Sequence, residues 1–136
     1  SGKVIKRLEG SLNSIEHIAI TPDGQHVILA SGSPWESALE VWDLPSGMLF
    51  KTLNGHTDGV RTVKFSPDGQ LVLSAAMDHM LKAWHWASGD RITTFDADGG
   101  LTQCSMTANT KYIVVGDESG KVHFLSLNGY VRSNLD

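Results

Sequence analysis

The stretch NGHTDGVRTVKFSPDGQ, Asn54 to Gln70, decides the fold. Its middle, VRTVKF at 60–65, is rich in β-branched and aromatic residues in near alternation, which predicts a strand. SPDG at 66–69 predicts a tight turn, since proline presets φ and glycine accepts positive φ. Loop, strand and turn follow in order, and His56 is the residue that this local reading leaves unexplained.

Working outward, the same order recurs. Small-Gly pairs fall at Ser1-Gly2, Ser46-Gly47, Ser88-Gly89 and Asn128-Gly129, about 40 to 45 residues apart, the period of a repeat array. Each precedes a short apolar strand: KVIKRL, MLFKTL, DRITTF and YVRSNL. The first three lead through a loop to IEHIAI, VRTVKF and LTQCSM, which run into TPDG, SPDG and TANT. Third strands QHVILA, QLVLSA and KYIVVG follow, then fourth strands ALEVWD, MLKAWH and KVHFLS. The unit is four short strands with no helical period. The fold class is therefore all-β, an array of propeller blades.

Composition bounds the function. The chain has 136 residues, an expected single domain, with 40% hydrophobic and 19% charged residues. A net charge of −4 argues against a nucleic-acid backbone or an anionic membrane as the main partner. The lone Cys104 excludes an internal disulfide and fits a reducing, cytoplasmic setting; its neighbours predict a buried, inert thiol. No apolar run reaches the ~18 residues of a membrane span, and SGKVIKRLEG lacks the apolar core of a signal peptide.

Gly55-His56, FSPDG at 65–69, Asp78 and Trp84 resemble a WD40 repeat, and VWDLPSG from Val41 supplies a Trp-Asp pair. The resemblance spans the chain in three copies and implies a WD40-type β-propeller segment: three four-stranded antiparallel blades plus one extra strand. Residues 1–9 are then the outer strand of a preceding blade, with blades at 10–53, 54–95 and 96–136. It also implies a buried tetrad in the second blade, His56, Ser74, Asp78 and Trp84. Imidazole both donates and accepts, so it bridges a carboxylate and a hydroxyl, and the donor-only indole ends the chain. His56 is then a structural clasp. The matching positions are Ser11, Leu29, Glu36 and Trp42 in the first blade, and Asp98, Val115, Ser119 and Leu125 in the third. Both have lost most of the network.

No catalytic constellation stands out. The six histidines form no HxxxH or HExxH pair, there is no GxGxxG or GxxxxGK loop, and no GxSxG elbow. The turn carboxylates Asp23, Asp68, Asp117 and Glu118 have a turn-forming or solvated role as their default. The expectation is a chain that is not an enzyme and uses neither cofactor nor metal.

The resemblance implies instead a protein-interaction scaffold whose loops between the second and third strands share one binding face. Those loops give the partner-binding candidates Pro34, Trp35 and Glu36; Met77, His79 and Met80; and Asp117 and Glu118. Trp35 is either a cap on its own blade or an exposed anchor, and the methionines are soft, adaptable contacts. Because propellers close with about 4 to 8 blades, the expected partners are other proteins or further WD40 blades completing the ring. The mid-repeat start suggests an excerpt of a longer protein, and a homo-oligomeric ring is the expectation if the chain is whole. VVGDESGKVHFLSLNG at 114–129 is also similar to the closing repeat of WD40 sensor regions on bacterial signalling NTPases of the NACHT and NB-ARC type. That likeness implies the alternative function, a ligand-sensing or autoinhibitory C-terminal region of a larger signalling NTPase.

Overall fold

A computed structural model describes residues 2–5, 7–8, 14–33 and 38–127. Eleven strands follow in chain order: β1 (His17–Ile20), β2 (His26–Ala30), β3 (Leu39–Asp43), β4 (Met48–Leu53), β5 (Val60–Phe65), β6 (Leu71–Ala76), β7 (Met80–His85), β8 (Asp90–Asp96), β9 (Leu101–Met106), β10 (Tyr112–Asp117) and β11 (Val122–Ser126). They form three antiparallel meanders, β1–β2–β3–β4, β5–β6–β7–β8 and β9–β10–β11. The described residues contain no helix. This is the architecture of propeller blades, and the all-β expectation holds. The described residues of the KVIKRL segment (3–5 and 7–8) are not in a strand. A strand exists only where a neighbour pairs with it, and no described strand does so there. The fourth strand expected from YVRSNL lies outside the described residues.

Burial orders the strands within each blade. β6 is buried along its whole length, whereas β4 and β8 are largely exposed. The first strands converge instead, β1 lying against β5 and β5 against β9. One core, with Ile28, Leu39, Val41, Val63, Val72 and Trp84, fills the space between the first two sheets; another, with Leu73, Leu81, Leu101, Ile113 and Val115, joins the second to the third. Polar seams reinforce the first junction. The Val60 N–H donates to the Ser31 carbonyl at 2.9 Å, and the Val63 N–H to His17 Nδ1 at 3.0 Å. A Cβ on Gly59 would lie 2.1 Å from the Gly32 carbonyl oxygen, so this loop crossing accepts only glycine.

The turns after β1, β5 and β9 show the local chemistry. Thr21 and Ser66 hydroxyls each donate to the following aspartate, Asp23 or Asp68, at 2.6 Å, and Gly24 and Gly69 take φ of +72° and +75°. The Ser66 hydroxyl and the Gln70 N–H hold the Asp68 carboxyl below its usual range. In the third blade Asn109 replaces the aspartate, accepting from the Thr107 hydroxyl at 2.6 Å. Thr110 then occupies the glycine position with φ +63°, a strained conformation for a β-branched residue.

Candidate functional site

His56 sits in the loop between β4 and β5, Ser74 in the buried strand β6, Asp78 in the β6–β7 turn and Trp84 in β7. The structure joins them in one chain of hydrogen bonds. Trp84 Nε1 donates to Ser74 Oγ at 2.9 Å. Ser74 Oγ lies 2.7 Å from His56 Nε2, and His56 Nδ1 lies 2.9 Å from Asp78 Oδ2. With the imidazole proton on Nδ1, every donor in the series has an acceptor. The His56 and Asp78 side chains are only 1% and 6% exposed. Burial pushes the Asp78 carboxyl up, but hydrogen bonds from His56 and from the Thr57 and Met80 N–H groups outweigh it and hold its pKa below the ordinary value. Both ring nitrogens of His56 are engaged inside this chain, so the geometry suits a clasp tying loop to sheet.

The other blades contain polar contacts at positions the motif does not mark. In the first, Trp42 Nε1 donates to the buried Glu40 carboxylate at 3.1 Å. In the third, His123 Nε2 donates to Asp117 Oδ2 at 2.9 Å. Ser119 gives Asp117 both its hydroxyl and its N–H, and the Lys121 N–H adds a bond at 3.1 Å. The Ser119 hydroxyl and His123 hold the Asp117 carboxyl far below the usual range. Asp117 is thus buried at the end of β10 rather than presented by its loop, because its oxygens serve the turn. Asp98 accepts instead from Lys121 Nζ at 2.9 Å in an exposed pair. Glu40 and His123 were missed as network members. The available signal was strand alternation, which sets each of them on the same face as the residue two places later, Trp42 or Leu125.

At the end of the blades carrying the β6–β7 and β10–β11 turns, Met77 and Met80 are half-buried while His79 and Glu118 are exposed. Pro34, Trp35 and Glu36 lie outside the described residues, as does Ser11. The Arg61 guanidinium reaches Glu118 across the blades at 3.9 Å. Cys104 is buried, and burial pushes its thiol up to about 12, too high for a working nucleophile at neutral pH. No group of three or more His, Cys, Asp or Glu able to hold a metal occurs among the described residues.

The sequence profile of the "WD domain, G-beta repeat" family matches residues 2–43 and 47–85. The chain belongs to the WD40 repeat family. Repeats of this family generally mediate protein–protein interaction and are generally non-catalytic. The matched residues include the entire His56–Ser74–Asp78–Trp84 chain, while the third blade, with its Asp117–His123 pair, lies beyond them. No curated protein matches the sequence. No helix among the described residues is long and apolar enough to cross a membrane.

Proposed function

We propose that this WD40 chain is a non-catalytic scaffold that binds partner proteins through the end carrying Met77, His79, Met80 and Glu118. The observation that carries this reading is the way that end is braced. The Met77 N–H donates to the Gly59 carbonyl, the Ala97 N–H to the His79 carbonyl and the Glu118 N–H to the Gly100 carbonyl, each at 2.8 Å. These bonds tie the turns of two blades to the loops entering them. The result is a preorganised surface of soft methionines flanked by an imidazole and a carboxylate, which lowers the ordering cost of docking. His79 holds φ +72° where its counterpart Gly120 holds +90°, so a strained residue is kept at an exposed position on this surface.

Apolar side chains are also bare on the outer faces of the end blades: Ile18 and Ile20 on one, Val122 and Phe124 on the other, the last two 71% and 68% exposed. Further WD40 blades completing a ring fit these faces. The place of action is the cytoplasm, a reading supported by the lone buried thiol. The sensor alternative rests on the sequence likeness at 114–129, which lies beyond the matched residues, and the scaffold reading is preferred.

The test is a photo-crosslinking amino acid placed at His79 and, as a control, at Asp90 at the start of the exposed β8. Discrete cross-linked proteins are expected from position 79 and not from position 90, each then verified by direct binding. Equal or absent cross-linking at both positions would overturn the reading.

A further inference from the structure

The TPDG and SPDG turns of the first two blades meet at the end of the strands opposite the β6–β7 turn. They touch closely: a Cβ on Gly69 would come within 3.1 Å of Pro22 Cδ. Beside that contact lies a cavity of about 190 Å³, lined by Asp23 and His26 of the first blade and by Asp68, Gly69 and Trp86 of the second. Trp86 is fixed in place. Its Nε1 donates to the Gly69 carbonyl at 2.7 Å, and the rings of His26, Phe50 and Phe65 surround it with centroids 4.7, 5.8 and 6.2 Å away. The indole is therefore a preformed wall, and a ligand need not order it. His26 is paired with Asp43 at 3.4 Å, so any charge on the imidazole is offset within its own blade.

The two carboxylates are half used. Asp23 and Asp68 each accept the turn hydroxyl and the N–H two residues on through Oδ1 alone. No hydrogen bond or ion pair among the described residues reaches Oδ2 of either. The Oδ1 bonds, led by those from the Thr21 and Ser66 hydroxyls, hold both carboxyls below their usual range, so both are anions at neutral pH. The seam between the second and third blades differs on both counts. Its third-blade turn carries Asn109 in place of the aspartate, and Leu127 follows β11 where Trp86 follows β7.

We propose that this cavity is a binding site for the guanidinium group of an arginine side chain on a partner protein, held by Asp23 and Asp68 against Trp86. A cavity of roughly 150 Å³ takes a benzene, so this one has room for a single planar group. A guanidinium offers donors in one plane to two separate carboxylate oxygens and packs on an aromatic ring, whereas a compact ammonium is only a point charge. A metal ion fits less well. Two carboxylates are fewer ligands than a hard cation takes, and no third His, Cys, Asp or Glu joins them in a metal-holding group among the described residues. The net charge of −4 favours the approach of a basic segment. The site lies at the opposite end of the strands from Met77, His79 and Met80 and does not depend on that surface.

The experiment is an NMR titration of the full chain labelled with ¹⁵N, following the Trp86 indole N–H, which is identified by its loss in Trp86→Phe. The probes are capped tripeptides with arginine, lysine or citrulline at the centre, and calcium chloride. A saturable shift with the arginine peptide is expected, with a weaker response to lysine and none to citrulline or calcium. Asp23→Asn and Asp68→Asn should each weaken arginine binding about fivefold. Both variants keep the turn, because Asn109 already accepts the Thr107 hydroxyl and the Lys111 N–H in the third blade. A Trp86 signal silent to arginine, an equal shift with citrulline, lysine or calcium, or binding unchanged in both variants overturns the proposal. Partner capture at position 79 alongside a silent Trp86 would leave the scaffold standing and remove this site.

Discussion

The second and third blades hold the same kind of pair, an imidazole on a buried carboxylate at 2.9 Å, but use it over different distances. His56 and Asp78 connect the β4–β5 loop to the β6–β7 turn across the sheet. Asp117 and His123 lie six residues apart and clip one hairpin. Beyond its backbone bonds at Ala97 and Gly100, the loop entering the third blade has the exposed Asp98–Lys121 pair where the second blade has its buried link. Such a contact is worth more where it closes a longer loop and where its imidazole is deeper, 1% exposed at His56 against 20% at His123, since it then restrains more chain and leaves a costlier orphan when the carboxylate is removed.

The largest effect that breaks this comparison is Asp78→Ala. It strands His56 and the Thr57 N–H, and should cost about 3 kcal/mol in denaturant melts. Asp117→Ala should lose clearly less, and equal losses would dissolve the distinction between the blades. Acid sharpens the same point. The Asp78 pKa is depressed in the folded state below its ordinary 3.8, so the unfolded chain takes up the proton first. Stability is fully present above that value and falls as pH drops through it toward the folded pKa. Asp78→Asn should flatten part of that acid limb in pH-dependent melts.

Smaller changes probe the turns. Thr110→Gly should stabilise the third blade by about 1 kcal/mol by relieving its left-handed backbone. His79→Gly should likewise raise the melting temperature, while weakening partner capture at that surface. Smallest of all is Lys121→Ala, which removes an exposed pair and should leave the melt unchanged within error.

Much of this was legible in the residues. The TPDG and SPDG turns and the β-branched alternation mark the strands, and Gly55-His56, Asp78 and Trp84 sit at the spacing that brings them together across one blade. The third blade resisted the same reading because its polar groups moved. Its carboxylate lies two residues before the place aligned with Asp78, and its imidazole lies on a strand rather than in the entering loop. Motif matching looks for side chains at fixed loop positions, whereas burial on one sheet face depends on pleat and register. The cavity beside Trp86 escaped for a related reason. An aspartate in a turn reads as serving that turn, and only the packing of two blades sets two such turns around one cavity. The segment KVIKRL has strand-like composition, but composition alone supplies no pairing partner.

The most direct test of the clasp is native-state amide hydrogen exchange at Thr57, whose N–H donates to Asp78 Oδ2 at 2.9 Å, compared with Gly99 in the corresponding loop of the third blade. Thr57 should exchange slowly, with the opening energy of the second sheet, and Gly99 near the rate of an unstructured amide. In Asp78→Ala, Thr57 should join the fast class. Rapid exchange at Thr57 in the unaltered protein, or equal protection of the two loops, would contradict the account.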